Sequence, residues 1–308
     1  EKMKKNTNNG NGKIIKNKPL TNFIINNNSS TNIETHNSID ELRNDLNNRL
    51  AEVSREYYFV KEAHMYVMAL SSKYYDQEPL WKQIGWALHR MARTADESLS
   101  REMIEKILLM VYIDFSSKSN KFDFEETVPE IMNYWNNHFN QNGSDKYITL
   151  GTIKHYLNRE NPTLYKKLKE ESTDYFVEKT LKGTGTDFDL AMLTHQMYNQ
   201  DYVCVNIDKN FWYEFKSPRW IKCQKAHSLR KKLSTKVSKI YVKKEQDTLD
   251  RIRNLNGTED QTQLQQKLTS LASTYSDITL KLKNNTPKTR IINEAAPLFF
   301  DEEGAFID

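Results

Sequence analysis

Cations without neighbouring carboxylates fill one segment of the sequence, residues 216–244. Its basic residues are Lys216, Arg219, Lys222, Lys225, Arg230, Lys231, Lys232, Lys236, Lys239, Lys243 and Lys244, and the segment contains no Asp or Glu. The whole chain of 308 residues is nearly balanced, with 45 Lys and Arg against 41 Asp and Glu and a formal net charge of +4. A local excess of positive charge attracts the phosphates of a nucleic acid. The segment therefore predicts a nucleic-acid contact, with a solvated face of lysines as the alternative.

Helical spacing places several of these cations on one side of a helix predicted over about 228–244. The apolar residues that define its buried face are Leu229, Leu233, Val237 and Ile240. A stripe of lysines, spaced four, three and four residues apart, runs beside that face: Lys232, Lys236, Lys239 and Lys243. Residues three and four apart are neighbours on a helix, so one helix presents a row of positive charges. The other predicted nucleic-acid contacts are Arg219, Trp220, Lys222, Arg230 and Lys231.

Aromatic residues lie close to the basic segment in the sequence. Trp212, Tyr213 and Trp220 could provide surfaces on which unpaired bases stack. The alternative is that these rings are buried inside a small sheet.

Asp187 and Asp189 are the sharpest candidates for metal chemistry. Alternate carboxylates on an extended segment point the same way and can share divalent ions, as nucleotidyl transfer requires. The residues that follow, 190–193, are instead typical of a helix, and Asp is favoured at a helix N-terminus by capping and by the helix dipole. The pair therefore predicts a helix start, with a metal site as the alternative.

Other motifs of catalysis are missing from the sequence. The run Gly183-Thr184-Gly185-Thr186 lacks the Gly-Lys-Ser/Thr of a phosphate loop. The seven His residues show no metal-ligand spacing, and two cysteines, Cys204 and Cys223, are too few for a four-cysteine zinc site. We expect no catalytic residue in this chain, and no metal or cofactor of its own.

The sequence predicts a mainly α fold that positions these residues. It has two helical domains, and the second contains a small antiparallel β-meander. Residues 1–37, rich in Asn and Lys, are expected to form a disordered linker. Residues 38–172 predict the first domain, because apolar residues repeat with the helical period, most clearly over 104–115. Residues 173–308 predict the second domain, with three short strands between Tyr202 and Cys223.

Two further patterns concern helices. Thr127-Val128-Pro129-Glu130 has the form of a capping box with Pro in the first turn, and it predicts a helix start there. Apolar residues recur in heptad spacing along a later helix and form a seam: Leu264, Leu268, Leu271, Tyr275, Ile278 and Leu282. The seam predicts packing within its own domain, with a contact between subunits as the alternative.

The sequence also predicts a compartment. It contains no apolar run of the roughly 20 residues that cross a bilayer, and no signal-peptide hydrophobic region follows the N-terminus. Two cysteines fit a reducing environment. We expect a soluble, intracellular protein. Because the sequence does not begin with Met, we also expect it to be part of a longer polypeptide.

A set of motifs recurs along residues 57–169: Trp81-Lys82-Gln83-Ile84-Gly85-Trp86-Ala87-Leu88, Phe115-Ser116-Ser117-Lys118-Ser119, Lys121-Phe122-Asp123, Trp135 and Thr149-Leu150-Gly151-Thr152-Ile153. With these motifs the region resembles the C-terminal helical domain of primases. Phe115 departs from the pattern, since a Trp is commoner at that position.

A second set of motifs lies in the later part of the chain: Asp189-Leu190-Ala191, Phe211-Trp212-Tyr213-Glu214-Phe215, Arg219-Trp220 and the basic helix. With these residues that part resembles the domain that precedes the helicase in primase-helicases of poxviruses and giant viruses. Residues 286–294 and Leu298-Phe299-Phe300-Asp301 resemble the exit segment, after which a superfamily 3 ATPase would begin. The Asn-rich tail suits an AT-rich large DNA virus.

This resemblance implies a replicative protein that unwinds DNA with ATP and Mg²⁺ as a ring, usually hexameric, and that is fused to a primase. This sequence lacks a Walker A motif, and the primase carboxylates would lie upstream of residue 1. The resemblance therefore implies a connector that contacts single-stranded or forked DNA, in the host cytoplasm. The alternatives are metal-dependent nucleotidyl transfer by Asp187 and Asp189, and a protein-interaction scaffold that uses the seam.

Overall fold

The computed structural model of the protein describes residues 36–93, 98–139, 148–182, 185–255 and 259–301. The predicted linker over 1–37 lies almost entirely outside these ranges. The fold is mainly α with one small antiparallel sheet, which confirms the predicted fold class. Within the described residues, no helix combines the length and apolar character that crossing a membrane requires.

Helices make up the first part of the chain. They are Ile39–Glu52 (α1), Tyr58–Met68 (α2), Lys73–Asp76 (α3), Glu78–Ala92 (α4), Ser98–Ser116 (α5), Phe124–Asn133 (α6) and Leu150–Glu160 (α7). The later elements are Pro162–Lys182 (α8), Asp187–Tyr198 (α9), Tyr202–Asn206 (β1), Phe211–Lys216 (β2), Arg219–Lys222 (β3), His227–Lys232 (α10), Ser238–Arg253 (α11), Glu259–Lys283 (α12) and Asn285–Ala295 (α13).

A first hydrophobic core forms around α5. Its predicted apolar face is fully buried: Ile104, Ile107, Leu108, Val111, Tyr112 and Phe115. The Trp81 ring stacks on Tyr112 at 5.1 Å, and its indole N–H donates to the Ser116 hydroxyl at 2.8 Å. A Cβ at Gly85 would lie 2.5 Å from the Phe139 ring, so only glycine admits this close approach. The Trp-x-x-Ile-Gly motif of α4 is therefore a packing motif.

The predicted start of α6 at Thr127 is wrong by about one turn. Asp123 is the N-cap, and its carboxylate accepts hydrogen bonds from the backbone N–H groups of Glu125 and Glu126 at 2.9 and 3.0 Å. The Thr127 hydroxyl accepts from the Asp123 N–H at 3.1 Å. Pro129 therefore lies inside the helix, because the Asp cap satisfies the first turn before Thr127 is reached.

Helix α8 connects the first core to a second one. Its N-terminal half packs Leu164, Tyr165 and Leu168 against the first core, and its C-terminal half contributes Phe176 and Val177 to the second. The predicted domain boundary at residues 172 and 173 lies inside this continuous helix. The division of the chain into two domains stays a prediction.

The second core lies between the sheet and helices α9 to α13. The strands pair antiparallel in the order β1-β2-β3, which is the predicted meander. The seam packs within this core at Tyr275, Ile278 and Leu282, and its residue Leu268 is also buried. Leu271 is partly buried, and Leu264 is 41% exposed. The seam therefore packs mainly within the chain, as α12 lies along α11.

Candidate nucleic-acid interface

A π turn divides the basic helix. Residues Leu233–Val237 form this turn between α10 and α11, and a π turn holds about one residue more than an α turn. The buried face consequently shifts by one position after the turn. Tyr241 is fully buried, whereas Ile240 is only partly buried. Ile240 packs against the core as predicted but at its edge, Tyr241 is the fully buried residue, and the stripe does not run along an uninterrupted α-helix.

Lys232 forms ion pairs and aromatic contacts with other residues of the chain. Its ammonium group lies 3.4 Å from the Asp201 carboxylate and 3.8 Å from that of Glu214. It also lies over the rings of Tyr198 and Tyr202, at 4.9 and 4.5 Å from their centroids. This lysine attaches α10 to the sheet and is the least suited of the stripe to contact a phosphate.

Glu214, one of the partners of Lys232, lies beneath the sheet. Burial alone would raise the pKa of its carboxyl group, but hydrogen bonds from Ser228 and Tyr202 and the charge of Lys216 lower that pKa overall. The Tyr202 hydroxyl donates to Glu214 at 2.8 Å. Glu214 therefore stays ionised and balances Lys232.

The remaining stripe residues, Lys236, Lys239 and Lys243, are exposed. Across the ranges that the structure describes, their ammonium groups have no ion pair or hydrogen bond, and the same holds for the exposed Lys231. By contrast, the adjacent Lys244 pairs with Asp174 at 2.9 Å. Three cations at spacings of three and four residues are thus free to meet an external anion.

The other predicted contacts fall into different environments. Arg230 donates to the Thr289 hydroxyl at 3.0 and 3.1 Å, so it ties α10 to α13. Arg219 is exposed at the start of β3. The Lys222 ammonium lies 4.2 Å from the centroid of the Phe211 ring, and the half-buried Trp220 ring lies 5.2 Å from Phe215. Arg230 and Lys222 thus have partners within the fold, whereas Arg219 is exposed.

Trp212 cannot stack on bases, because its side chain is fully buried. Its indole N–H donates to the Asn210 side chain at 2.5 Å, and its ring lies 5.3 Å from Phe299. The prediction of a stacking role is therefore wrong for Trp212. Tyr213 and Trp220 belong to the opposite face of the sheet, which also carries Phe211 and Phe215. The alternation of residues 211, 213 and 215 was the signal for that face, but the sequence left its orientation open.

The Asp pair lies at the start of α9, as the capping interpretation predicts. Thr186 is the N-cap, and its hydroxyl accepts from the Asp189 N–H at 3.1 Å. Asp189 forms an ion pair with Arg55, and Asp187 accepts from Arg290 at 2.6 Å. Each carboxylate is thus neutralised by its own arginine. Among the described residues, no group of three or more His, Cys, Asp or Glu could hold a metal ion.

A cleft of about 530 Å³ lies between the start of α7, the end of α9, β1 and the segment 298–301. The His195 ring lines this cleft, and burial together with the nearby Lys154 charge lowers its pKa to about 4. Lys154 is itself paired with Glu62 at 3.0 Å. His195 is therefore neutral at physiological pH, so the described lining of the cleft adds no free positive charge for an anion.

Comparison with known proteins relates the chain to viral helicases. It is 25% identical over 276 residues, 89% of the chain, to "Putative helicase L207/L206" of Acanthamoeba polyphaga mimivirus. It is 24% identical over 160 residues, 52% of the chain, to "Putative helicase 022R" of Frog virus 3. The matched region spans 26% of the first relative and 14% of the second. No protein-family model matches the chain. The resemblance to helicase-type proteins of large DNA viruses is confirmed.

Proposed function

We propose that this chain is a non-catalytic connector of a viral replicative primase-helicase and that it contacts DNA through Lys236, Lys239 and Lys243. The observation that carries the proposal is the set of exposed lysines without partners among the described residues, inside a segment that lacks carboxylates. Such lysines neutralise successive phosphates. The similarity to two viral proteins named as helicases supports the nucleic-acid partner.

The residues of the chain give no support to a catalytic role of its own. A Walker A motif is absent from the sequence. Asp187 and Asp189 would have to release Arg290 and Arg55 before they could share a metal ion. The nucleotidyl-transfer alternative is accordingly the weaker one. The scaffold alternative is also weaker, because the buried part of the seam packs within the chain and is not available to a partner.

We extend the proposal to the whole protein of which this chain would be part. That protein would be an ATP-dependent DNA helicase of superfamily 3, with ATP and Mg²⁺ bound outside this chain, assembled as a hexameric ring and fused to a primase. It would act on single-stranded or forked DNA in the host cytoplasm. The buried thiols of Cys204 and Cys223 suit a reducing compartment.

The test measures how DNA affinity depends on salt. Each phosphate contact contributes a slope of about 0.7 for single strands and 0.9 for duplex in a plot of log affinity against log salt concentration. The triple variant Lys236→Gln, Lys239→Gln, Lys243→Gln should therefore lower the slope by about two units on single strands. A control triple at exposed lysines elsewhere, Lys121→Gln, Lys166→Gln, Lys267→Gln, removes the same charge.

The control separates a local contact from the general effect of net charge. The proposal predicts a large loss of slope for the α11 triple and a small one for the control. Equal slopes for the two triples would overturn the DNA role of α11.

A further inference from the structure

The cleft at the junction of the two cores is large enough for a small organic group. Its volume of about 530 Å³ falls within the roughly 300–1,000 Å³ that is typical of ligand pockets. The start of α7 packs on the first core, whereas the end of α9, β1 and the segment 298–301 pack on the second. The described lining contains none of the lysines of α11, so a ligand here would make contacts that those lysines do not provide.

Three side chains of the lining offer hydrogen bonds that the described fold leaves unused. They are His195, Asn199 and Gln200, and none of them has a side-chain hydrogen bond or ion pair with another described residue. His195 is half-buried, whereas Asn199 and Gln200 are exposed just after the end of α9. A neutral imidazole and a carboxamide each carry both a donor and an acceptor. The lining therefore suits a ligand edge on which donors and acceptors alternate.

Phe300 gives the cleft an aromatic surface. Its side chain is 40% exposed, and its ring has no aromatic contact among the described residues. Its backbone is held in place, because Phe300 forms a bridge with Cys204 and the next N–H, that of Asp301, donates to the Cys204 carbonyl at 3.0 Å. An exposed ring on a fixed backbone offers a flat apolar face at little cost in conformational entropy. A planar group of the ligand can stack there.

The charged residues of the lining do not favour an anion. Lys154 is paired with Glu62 at 3.0 Å, and Asp301 contributes a carboxylate. Because burial lowers the pKa of His195 to about 4, its ring adds no positive charge at physiological pH. The group that fits the cleft is therefore uncharged, planar and furnished with donors and acceptors along one edge. A nucleobase has all of these properties.

A peptide is the other uncharged ligand that carries alternating donors and acceptors. Extended peptides commonly bind by pairing with the free edge of a sheet. At Cys204 the edge of β1 is already occupied, because its carbonyl accepts from the Asp301 N–H. The cleft therefore favours a base over a peptide.

We infer that the cleft binds a single unpaired nucleobase. His195, Asn199 and Gln200 form hydrogen bonds to the edge of the base, and Phe300 stacks on its face. This inference rests on the proposed nucleic-acid role and goes beyond it, because phosphate contacts carry no sequence information whereas a base edge does. The cleft would thus give the protein a base preference at one position of the strand.

Tyr202 links the cleft to the basic helix. It lines the cleft, and the Lys232 ammonium group lies 4.5 Å from the centroid of its ring. Lys236, the first of the three proposed phosphate contacts, follows four residues later in the chain. A strand whose phosphates meet α11 can therefore place one of its bases in the cleft.

The experiment measures what one base adds to the binding of an otherwise abasic strand. The 308-residue chain is titrated in fluorescence anisotropy with a fully abasic strand and with four strands that each carry one central base. At least one base should raise the affinity by about 5- to 150-fold, which is the worth of one well-bonded base edge. Gln200→Leu and Phe300→Ala should each remove most of this gain and leave the abasic affinity within about twofold, because the phosphate contacts are unchanged.

Two controls accompany these variants. Gln266→Leu changes an exposed glutamine of α12 in the same way and should keep the gain. The triple variant Lys236→Gln, Lys239→Gln, Lys243→Gln should weaken the abasic and the single-base strands equally, so that the gain from the base remains. A triple variant with full affinity for the abasic strand would overturn the role of α11 and leave the cleft inference standing.

Free nucleosides repeat the test without phosphate. In saturation-transfer NMR the wild type should bind at least one nucleoside, and Gln200→Leu should not. Competition by an N-acetyl amino-acid amide would assign the cleft to a peptide and overturn the inference. It would also be overturned by equal wild-type affinity for the abasic and all single-base strands, by an undiminished gain in Gln200→Leu and Phe300→Ala, or by the same loss in Gln266→Leu. Thermal unfolding establishes that each variant is folded.

Discussion

Three cations of the first region and two of the second lie in opposite environments. In the first region, Arg43 donates to Asp114 at 2.7 Å, Lys154 pairs with Glu62 at 3.0 Å, and Lys118 donates to the Met68 carbonyl at 2.8 Å. In the second region, Lys236 and Lys239 remain exposed. The first region directs these charges into its own fold, whereas the second leaves several available for a partner. This contrast locates the candidate interface better than net charge does.

Breaking the buried pair of the first region should have the largest effect. Glu62 and Lys154 are only 2% and 7% exposed. Glu62→Ala leaves the Lys154 ammonium buried without its partner, so the free energy of unfolding should fall by about 3–5 kcal/mol. Urea unfolding followed by circular dichroism measures this change.

A double variant provides the control for the buried pair. Replacing both residues, Glu62→Met with Lys154→Met, should recover much of the lost stability, because an apolar pair of similar volume is often tolerated. If Glu62→Ala were as stable as the wild type, this ion pair would not stabilise the first region, and the contrast between the two regions would be lost.

The seam gives the next largest effect and tests the second core. Leu282 is fully buried, so Leu282→Ala should lower the free energy of unfolding by about 2–5 kcal/mol. Leu264 is 41% exposed, so Leu264→Ala should change it by less than about 0.5 kcal/mol. Light scattering should show the same mass for both variants. Loss of oligomers in Leu264→Ala would instead restore the subunit-contact interpretation of the seam.

A pH titration examines the junction of the two regions at His195. Its folded pKa of about 4 lies below the ordinary value of about 6.5, so the folded state favours the neutral ring. Its stabilising contribution is therefore complete above about pH 6.5 and is lost as the pH falls toward 4, by about 1–3 kcal/mol. Urea midpoints measured between pH 7 and 4 should fall less in His195→Asn than in the wild type. Parallel curves would contradict this assignment.

Much of the fold could be predicted from patterns with a strong local cause. The helical period over 104–115 and the three short strands between Tyr202 and Cys223 each have one dominant interpretation, and the structure confirms both. The start of α6 was missed because Asp123 and Thr127 both favour an N-cap, and only the observed hydrogen bonds decide between them.

The site was harder to predict than the fold. The π turn at 233–237 has no sequence signature, yet it changes which residue of α11 enters the core. The alternating residues of β2 define two faces, but their sequence does not say that Trp212 points inward. Lys232 looked equivalent to the other lysines of the stripe, because its partners Asp201 and Glu214 are distant in sequence.

The smallest expected effect lies within the basic helix, where Lys232 and Lys236 repeat the contrast between the two regions. Lys232 has two partly exposed ion pairs and two aromatic contacts, so Lys232→Gln should lower the free energy of unfolding by about 1–2 kcal/mol. Lys236 is exposed, so Lys236→Gln should stay within about 0.5 kcal/mol of the wild type.

For DNA binding we expect the opposite order, with a larger effect of Lys236→Gln than of Lys232→Gln. Lys236→Gln should lower the salt slope on single strands by about 0.7, because one phosphate contact is lost. Lys232→Gln should leave the slope unchanged, because Asp201 and Glu214 already neutralise its charge. Urea unfolding and binding titrations on the same two proteins measure both quantities. If Lys232→Gln also flattened the slope, the lysine would leave its carboxylates for a phosphate, and the full stripe predicted from the sequence would be the interface.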